Sequence, residues 1–433
     1  MQRGASRGAP HGKVSVLEAS AAYADDRARA RRRLPRLLFD YIDGGAYEER
    51  TLAANVADLA ALALRQRVLR DVRALSLQQC LFGQALAMPV LLGPVGLAGM
   101  YARRGEAAAA RAAAGCGVPF CLSTSAVCSV EEVRAACPQA PWFQLYMIKD
   151  RTFMRRLLER AAVAGCPVLV FTVDLAVPGA RYRDVRSGFS AALSPRRAAA
   201  RALSGLAHPG WLADVYLRGR PHALGNLAPA MTGASASSDF WGWVRRNWDS
   251  GVTWDDIAWL RRHWAGPIVL KGILDEEDAR RAIDAGADGL IVSNHGGRQL
   301  DSAISSVRAL PSVVEVARGR VPVLVDGGVR TGLDVLKMLA LGAQACLLGR
   351  AWAFALAAGG EAGVAAMLAR LRGELEAALA LTGCTDVRAA SADLLDSRAG
   401  SWNVSGPAHD GAGRRPGAPS APAAARSQLE TLS

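Results

Sequence analysis

The chain has 433 residues, 51% of them hydrophobic and 21% charged, with a formal net charge of +13. That balance excludes an intrinsically disordered chain and leaves ample apolar surface for a core, in one large domain or two ordinary ones. Eight cysteines without a CxxC pair, and an N-terminus with Arg and His but no apolar signal core, fit a reduced cytoplasmic compartment.

In chain order, residues 1–13 read as a flexible extension, and residues 14–400 as one domain with a helical segment at its start. Arg27, Arg29, Arg31, Arg32, Arg33 and Arg36 form a dense basic run there. Short apolar runs then recur at Pro89–Gly93, Pro119–Leu122, Trp142–Leu145 and Val168–Thr172. After a long gap they resume at Pro267–Lys271, Gly289–Val292, Val321–Val325 and Ala345–Leu348. Segments between them, such as Glu106–Ala114 and Asp275–Ala285, carry a helical pattern. Strands apolar on both faces belong to parallel sheets, because helices cover both sides. Eight strand–helix units in series predict an α/β fold, a (β/α)8 TIM barrel with a long insertion after strand 4. The late apolar stretch is interrupted by Arg350 and Glu361, which argues against a bilayer-spanning segment. Residues 404–433, rich in Gly, Pro, Ala and Ser, read as a disordered tail.

The insertion, about residues 180–265, lacks barrel periodicity and suits a lid or docking surface. Between Gly179 and Trp264 stand 12 Arg and no Lys against 6 Asp and no Glu, with seven of the ten Trp. Arg beside Trp suits a membrane interface, with the ring at headgroup depth and the cation on anionic lipid. An Arg-biased solvated surface is the plainer reading. Zinc-finger spacing and RNA-binding signatures are missing from the sequence, so nucleic acid is not expected as a partner.

In a barrel of this kind the active site forms where strands end, and here a polar group follows every run. The most informative segment is Asp288–Asp301, in which an apolar strand ends in a loop holding His295 and Arg298. A base and an anion clamp three residues apart suit proton abstraction beside a carboxylate. Val321–Arg330 (VPVLVDGGVR) and Ala345–Arg350 (ACLLGR) correspond to strands seven and eight. Loops there commonly offer backbone N–H groups to a phosphate, although glycine-rich turns alone would look similar. With no GxGxxG between a strand and a helix, a dinucleotide site is disfavoured.

Taken together, these segments resemble the FMN-dependent α-hydroxy acid dehydrogenase family, and within it most resemble the bacterial membrane-associated L-lactate dehydrogenases. The resemblance runs through Phe39–Ala46 (FDYIDGGA), Pro94–Arg103 (PVGLAGMYAR), Trp142–Tyr146 (WFQLY), Phe171–Asp174 (FTVD), Pro178–Arg183 (PGARYR), Leu270–Gly272 (LKG) and Ser293–Asp301 (SNHGGRQLD). It implies His295 as the base at the hydroxy-carbon, oriented by Asp174. It implies Arg298 and Arg181 as carboxylate holders, and Tyr41 and Tyr146 as hydroxyls in the substrate pocket. Lys271 would sit by the flavin N1 edge. Ser123, Gln144 and Thr172 would bond the flavin ring, with Pro94, Val95 and Gly96 packed against it. Asp326, Gly328, Arg330, Gly349 and Arg350 would receive the ribityl chain and phosphate.

The implied activity is oxidation of L-lactate to pyruvate on FMN, with electrons passed to a quinone or a separate cytochrome. A glycolate or mandelate enzyme using oxygen is the alternative, and a flavin-free phosphate-binding barrel isomerase is a reading from another class. Whether His295 removes the C2 proton or the hydroxyl proton is left open by the sequence. The resemblance also implies a homotetramer, peripheral on an anionic membrane at the cytoplasmic face of the bacterial inner membrane. No metal site is expected.

Overall fold

The structure, a computed structural model, describes residues 20–189, 195–231 and 240–398. The expected extension 1–13 and tail 404–433 lie outside the described residues.

Two antiparallel strands, β1 (Gln79–Leu81) and β2 (Gln84–Leu86), precede eight parallel ones. The eight are β3 (Val90–Leu92), β4 (Cys121–Ser123), β5 (Trp142–Leu145), β6 (Leu169–Thr172), β7 (Ile268–Ile273), β8 (Gly289–Val292), β9 (Val323–Val325) and β10 (Ala345–Leu348). Every predicted run is a strand. They are hydrogen-bonded in the order β3-β10-β9-β8-β7-β6-β5-β4, and a parallel bridge between Leu92 and Phe120 brings the two ends together. The fold is the expected (β/α)8 barrel, and the insertion does follow its fourth strand.

The two-residue repeat of a strand decides what the barrel interior holds. One inward layer consists of Leu91, Cys121, Trp142, Val170, Val269, Ile291, Leu324 and Leu347, a single buried apolar cluster. Two residues further along each chain segment come Gly93, Ser123, Gln144, Thr172, Lys271, Ser293, Asp326 and Gly349. The dry layer supports a polar one, and the polar layer is the floor of the site.

The other end is closed by the β1–β2 hairpin. Its turn residues Phe82 and Gly83 have φ of 49° and 75°, the paired positive values of a tight two-residue hairpin turn. Leu81 and Leu86 join the apolar cluster, and the Phe82 ring meets Trp142 edge-on at 5.6 Å. Gly289 makes room for it, since a Cβ there would lie 2.8 Å from the Phe82 ring.

Helix starts follow local chemistry. Asp275 caps Glu276–Asp284 by accepting from the N–H groups of Glu277 and Asp278, and Thr331 caps Gly332–Ala340 in a reciprocal box with Asp334. The apolar stretch Arg350–Thr382 is long enough to cross a bilayer, the one such helix among the described residues. It is broken at Gly360 (φ 63°) and packs against helices Tyr23–Arg33, Gly105–Gly115 and Gly332–Ala340. That makes it a core element of the barrel's outer layer.

The insertion corrects one expectation. It is largely helical, with Pro195–Leu206, Phe240–Asn247 and Asp255–His263 as its main helices, the last against the barrel. Its tryptophans do not form an outward belt. Trp211, Trp243, Trp248 and Trp264 are buried, and Trp254 and Trp259 pack half-buried on the core; the Trp241 side chain lies outside the described residues. Indole N–H groups find internal acceptors, Trp211 on the Met100 carbonyl at 2.8 Å and Trp264 on that of Pro267 at 3.2 Å. Among the described residues of the insertion, the exposed large apolar side chains are instead Tyr182, Val185, Leu203, Leu206, Tyr216 and Leu217.

Candidate active site

A cleft of about 1470 Å³, partly open to solvent, lies over the polar layer. Sixteen of the eighteen expected site residues line it, and the other two, Gln144 and Asp174, stand directly behind its wall. Gln144 is fully buried, accepting from the Ser123 hydroxyl at 3.0 Å and donating to Thr172 Oγ1 at 3.0 Å. These three side chains form one hydrogen-bonded row across β4, β5 and β6.

The loop after β8 positions the base. His295, Gly296 and Gly297 have φ of 58°, 62° and 72°, three successive left-handed residues. Such a conformation strains a histidine by roughly 1–3 kcal/mol, so the surroundings must enforce it. They do so through Ser293 Oγ, which accepts from the His295 N–H at 3.0 Å, and through Asn294. The Asn294 amide pairs reciprocally with the Asn55 amide, 2.8 Å in each direction, and accepts from the Gly297 N–H. Glycine at 297 is obligatory, because a Cβ would stand 2.5 Å from the Leu52 nitrogen.

His295 Nδ1 lies 2.9 Å from Asp174 Oδ1, while Nε2 faces the cleft 3.3 Å from the Tyr146 hydroxyl. A carboxylate on Nδ1 fixes the proton there and leaves Nε2 as the free lone pair. Burial pushes the imidazole below its ordinary 6.5, and Asp174 opposes this without cancelling it. Burial alone would raise the Asp174 carboxyl, but His295 and Lys271 bring it below the ordinary range. The resting pair is therefore neutral imidazole beside carboxylate.

Lys271, an ammonium inside a barrel, would be costly without partners. It has two: Asp326 Oδ2 at 2.8 Å and Ser293 Oγ, to which it donates at 2.7 Å. Burial disfavours its charge, yet Asp326 and Asp174 outweigh that and hold it protonated.

Arg181 and Arg298 converge on Tyr41, their guanidinium carbons 5.8 and 5.0 Å from its ring centre. Arg181 is largely shielded, and desolvation together with the neighbouring charge of Arg298 lowers its proton affinity. Asp184 lies 3.8 Å from Arg181, and burial raises its carboxyl. Two cations forced together at the mouth of a cleft are a site for an anion.

The far end of the cleft has a different character. Gly327 and Gly328 (φ 98° and 89°) bring backbone close to the helix that carries Asn55, and a Cβ on Gly328 would stand 2.3 Å from the Asn55 carbonyl oxygen. Gly349 is the N-cap of the long helix, so uncompensated N–H groups point into the cleft there. Asp326 Oδ1 is buried with no partner among the described residues, as is the nearby Ser306 hydroxyl. Orphan acceptors beside a glycine cradle, a helix start and Arg330 fit a ribityl chain ending in a phosphate. Arg350 is more committed than its sequence position suggests. Its Nε and both Nη atoms donate to the carbonyls of Ile42, Gly296 and Gly44 at 2.9–3.0 Å, leaving two N–H bonds for any anion. Its main work is tying the Tyr41 helix to the His295 loop.

Several participants escaped the sequence reading. Ser293 was legible in principle, since it falls two residues beyond inward-facing Ile291. Asn55 and Tyr23, whose ring lies 4.6 Å from the Arg330 guanidinium, come from distant helices, and Ser306 opens the helix after the His295 loop; none carries a local signal. Among the described residues no cluster of three metal-ligating side chains occurs.

The family of FMN-dependent dehydrogenases matches residues 30–397 of the chain. An L-lactate dehydrogenase of Caulobacter vibrioides (strain NA1000 / CB15N) is 58% identical over 374 residues, covering 86% of this chain and 97% of the relative. One from Pseudomonas aeruginosa (strain LESB58) is 55% identical over 375 residues, covering 87% and 98%. Among solved structures, the monotopic membrane protein (S)-mandelate dehydrogenase superposes with a TM-score of 0.81 at 38% identity, covering 88% of this chain and 100% of that one. A mandelate oxidase gives 0.73 at 39%, covering 87% and 98%. These matches overturn the flavin-free isomerase reading, because the match extends over nearly the whole described barrel and both ends of its cleft. The chain belongs to the FMN-dependent dehydrogenase family.

Proposed function

We propose that this protein oxidises L-lactate to pyruvate and passes the electrons to a membrane quinone or a cytochrome. The observation that carries the chemistry is the convergence of His295 Nε2, the Tyr146 hydroxyl and the Arg181–Arg298 pair on one cleft. L-Lactate is favoured over mandelate because the relatives named for it stand at 55–58% identity, against 38% for the mandelate dehydrogenase structure. An anaerobic visible spectrum before and after L-lactate, with D-lactate, glycolate and mandelate alongside, tests this. Bleaching by mandelate in preference to L-lactate would overturn it.

Arg181 and Arg298 grip the substrate carboxylate and so fix the hydroxy-carbon relative to the imidazole. Tyr146 and Tyr41 present hydroxyls to the same space. His295 Nε2 accepts a proton from the hydroxy-carbon or its hydroxyl, and Asp174 stabilises the imidazolium that results. FMN, when bound, supplies the two-electron acceptor, held by Ser123, Thr172, Lys271, Asp326 and Arg330 and by the backbone at Pro94, Val95, Gly96, Gly328 and Gly349. Gln144 fixes Ser123 and Thr172 from behind. Lys271 provides the fixed positive charge that favours electron acceptance.

Only the unprotonated imidazole can take the proton, and its pKa is depressed. The rate per encounter, kcat/KM, is therefore expected to stay flat through neutrality and fall only as the pH drops below 6.5. In Asp174→Asn the opposing carboxylate is gone, so the acid limb moves to still lower pH while the plateau falls. A limb centred above 6.5 in the wild type would contradict this assignment.

Arg298 already donates to the Gly44 carbonyl at 2.6 Å, so its geometry is fixed before substrate arrives. Arg298→Lys keeps the charge and loses the fork. KM for L-lactate is expected to rise about 10- to 100-fold, the value of a charge-assisted bond, in steady-state kinetics.

The acceptor reading is tested by comparing hydrogen peroxide formation with reduction of a quinone analogue during lactate turnover. Rapid peroxide formation would favour an oxidase instead. Peripheral membrane contact is supported by the exposed Leu203, Leu206, Tyr216 and Leu217, all within the insertion, and by the membrane character of the mandelate dehydrogenase relative. A cytoplasmic-face position and a homotetramer are read from the family resemblance.

A further inference from the structure

A second concavity, of about 810 Å³, lies apart from the active-site cleft, where the insertion meets the two N-terminal helices. Its cationic lining is Arg27, Arg31, Arg36 and Arg183, with the His208 ring beside them, over an apolar floor of Leu34 and Phe39. Two carboxylates, Asp40 and Asp43, also line it, and both are already engaged. Asp43 accepts from Arg27 at 2.6 and 2.7 Å and from Arg183 at 2.7 Å, and Asp40 accepts from Arg36 at 3.2 Å. Glu49 accepts from Arg183 as well, at 2.6 Å, so four guanidiniums face three engaged carboxylates and one positive charge is left over; Arg31 makes no ion pair among the described residues. His208 uses Nδ1 on the Ser204 carbonyl at 2.7 Å, which directs its other ring nitrogen elsewhere.

The position of this basic hollow matters as much as its charge. His208 follows directly on helix Pro195–Leu206, whose Leu203 and Leu206 are two-thirds exposed. Tyr216 and Leu217, further along the insertion, are exposed as well, and Asp214 faces Arg33 of the first helix at 3.8 Å. The insertion and the basic helix are thus docked on each other, apolar tip next to cationic hollow. An amphipathic lipid presents the same pairing, acyl chains beside an anionic phosphate.

We propose that this hollow binds the phosphate headgroup of an anionic phospholipid while Leu203, Leu206 and Leu217 enter the acyl region. The assignment rests on the peripheral-membrane reading above and adds to it a specific site and a lipid class. Guanidiniums suit the task because each offers a planar pair of donors to phosphate oxygens. The two halves make separable contributions: the leucines supply affinity for any bilayer, and the arginines supply the preference for negative charge.

The test is co-sedimentation of the flavin-loaded enzyme with phosphatidylcholine vesicles, with and without phosphatidylglycerol. The wild type is expected to bind the anionic vesicles at least about tenfold more tightly than neutral ones. Arg31→Glu with Arg36→Glu should abolish that preference and leave the weak binding to neutral vesicles. Leu203→Ser with Leu206→Ser should lower binding to both. Bleaching by L-lactate serves as the folding control for each variant, since none of these side chains lines the catalytic cleft. If the arginine variant keeps the anionic preference, the hollow is not the headgroup site although the membrane reading stands. If the wild type binds neither vesicle, the membrane reading falls and this site with it. Binding of inorganic phosphate by a protein that ignores vesicles overturns the lipid assignment as well.

Discussion

His295→Gln is expected to lower the rate of flavin reduction by L-lactate by about 10²- to 10⁴-fold, the usual contribution of a positioned general base. Glutamine can fill much of the space and can still hydrogen-bond to Asp174, but its amide has no basic lone pair at the position of Nε2. Because His295 stands at the mouth and the Lys271–Asp326 layer lies beneath, the variant should retain its yellow colour. Stopped-flow bleaching measures the first effect and the visible spectrum the second. A variant that bleaches at the wild-type rate would remove His295 from the chemistry. Retention of the flavin matters because it separates a lost base from a collapsed site.

Lys271→Met is expected to act at the opposite level, on stability and cofactor retention. The Nζ group bonds Asp326 at 2.8 Å and Ser293 at 2.7 Å, and both Lys271 and Asp326 are largely shielded from solvent. Removing one partner of such a pair strands the other charge, at about 3–5 kcal/mol. Asp326 would then have neither carboxylate oxygen paired among the described residues, since Oδ1 has no partner there even with Lys271 present. Denaturant unfolding reads the loss, and flavin release on dilution reads the weakened cradle. Asp326→Asn in the Lys271→Met background should recover part of the stability, because the stranded charge is then gone. If the double variant is no better than the single, the cost lies in packing and not in electrostatics.

Much of the fold was legible because burial on both faces leaves a continuous apolar run, and eight such runs at strand–helix spacing admit few architectures. Much of the site was legible for a related reason. A strand has a fixed side-chain period, so the residue after its last apolar inward position is forced toward the barrel mouth. Lys271, Thr172 and Asp326 could be placed by counting. The β1–β2 hairpin could not: its strands are three residues each, with Gln79, Cys80 and Gln84 among them, and no apolar run marks them. Asn55 reaches Asn294 across 239 residues, a pairing only the closed barrel creates. The tryptophan reading failed for another reason. Composition states what indoles tolerate, not which way they face, and the six described in this insertion pack on the core. Arg350 was placed at the right cleft, but its three backbone acceptors lie on two segments, Ile42 with Gly44 and Gly296, that sequence does not connect.

The hairpin beneath the barrel has a consequence for traffic. With Phe82 seated on Trp142 and Gly289, the vessel is corked below, so nothing of substrate size can pass through it. Substrate, product and prosthetic group must therefore all come and go on the side of the barrel where the strands end.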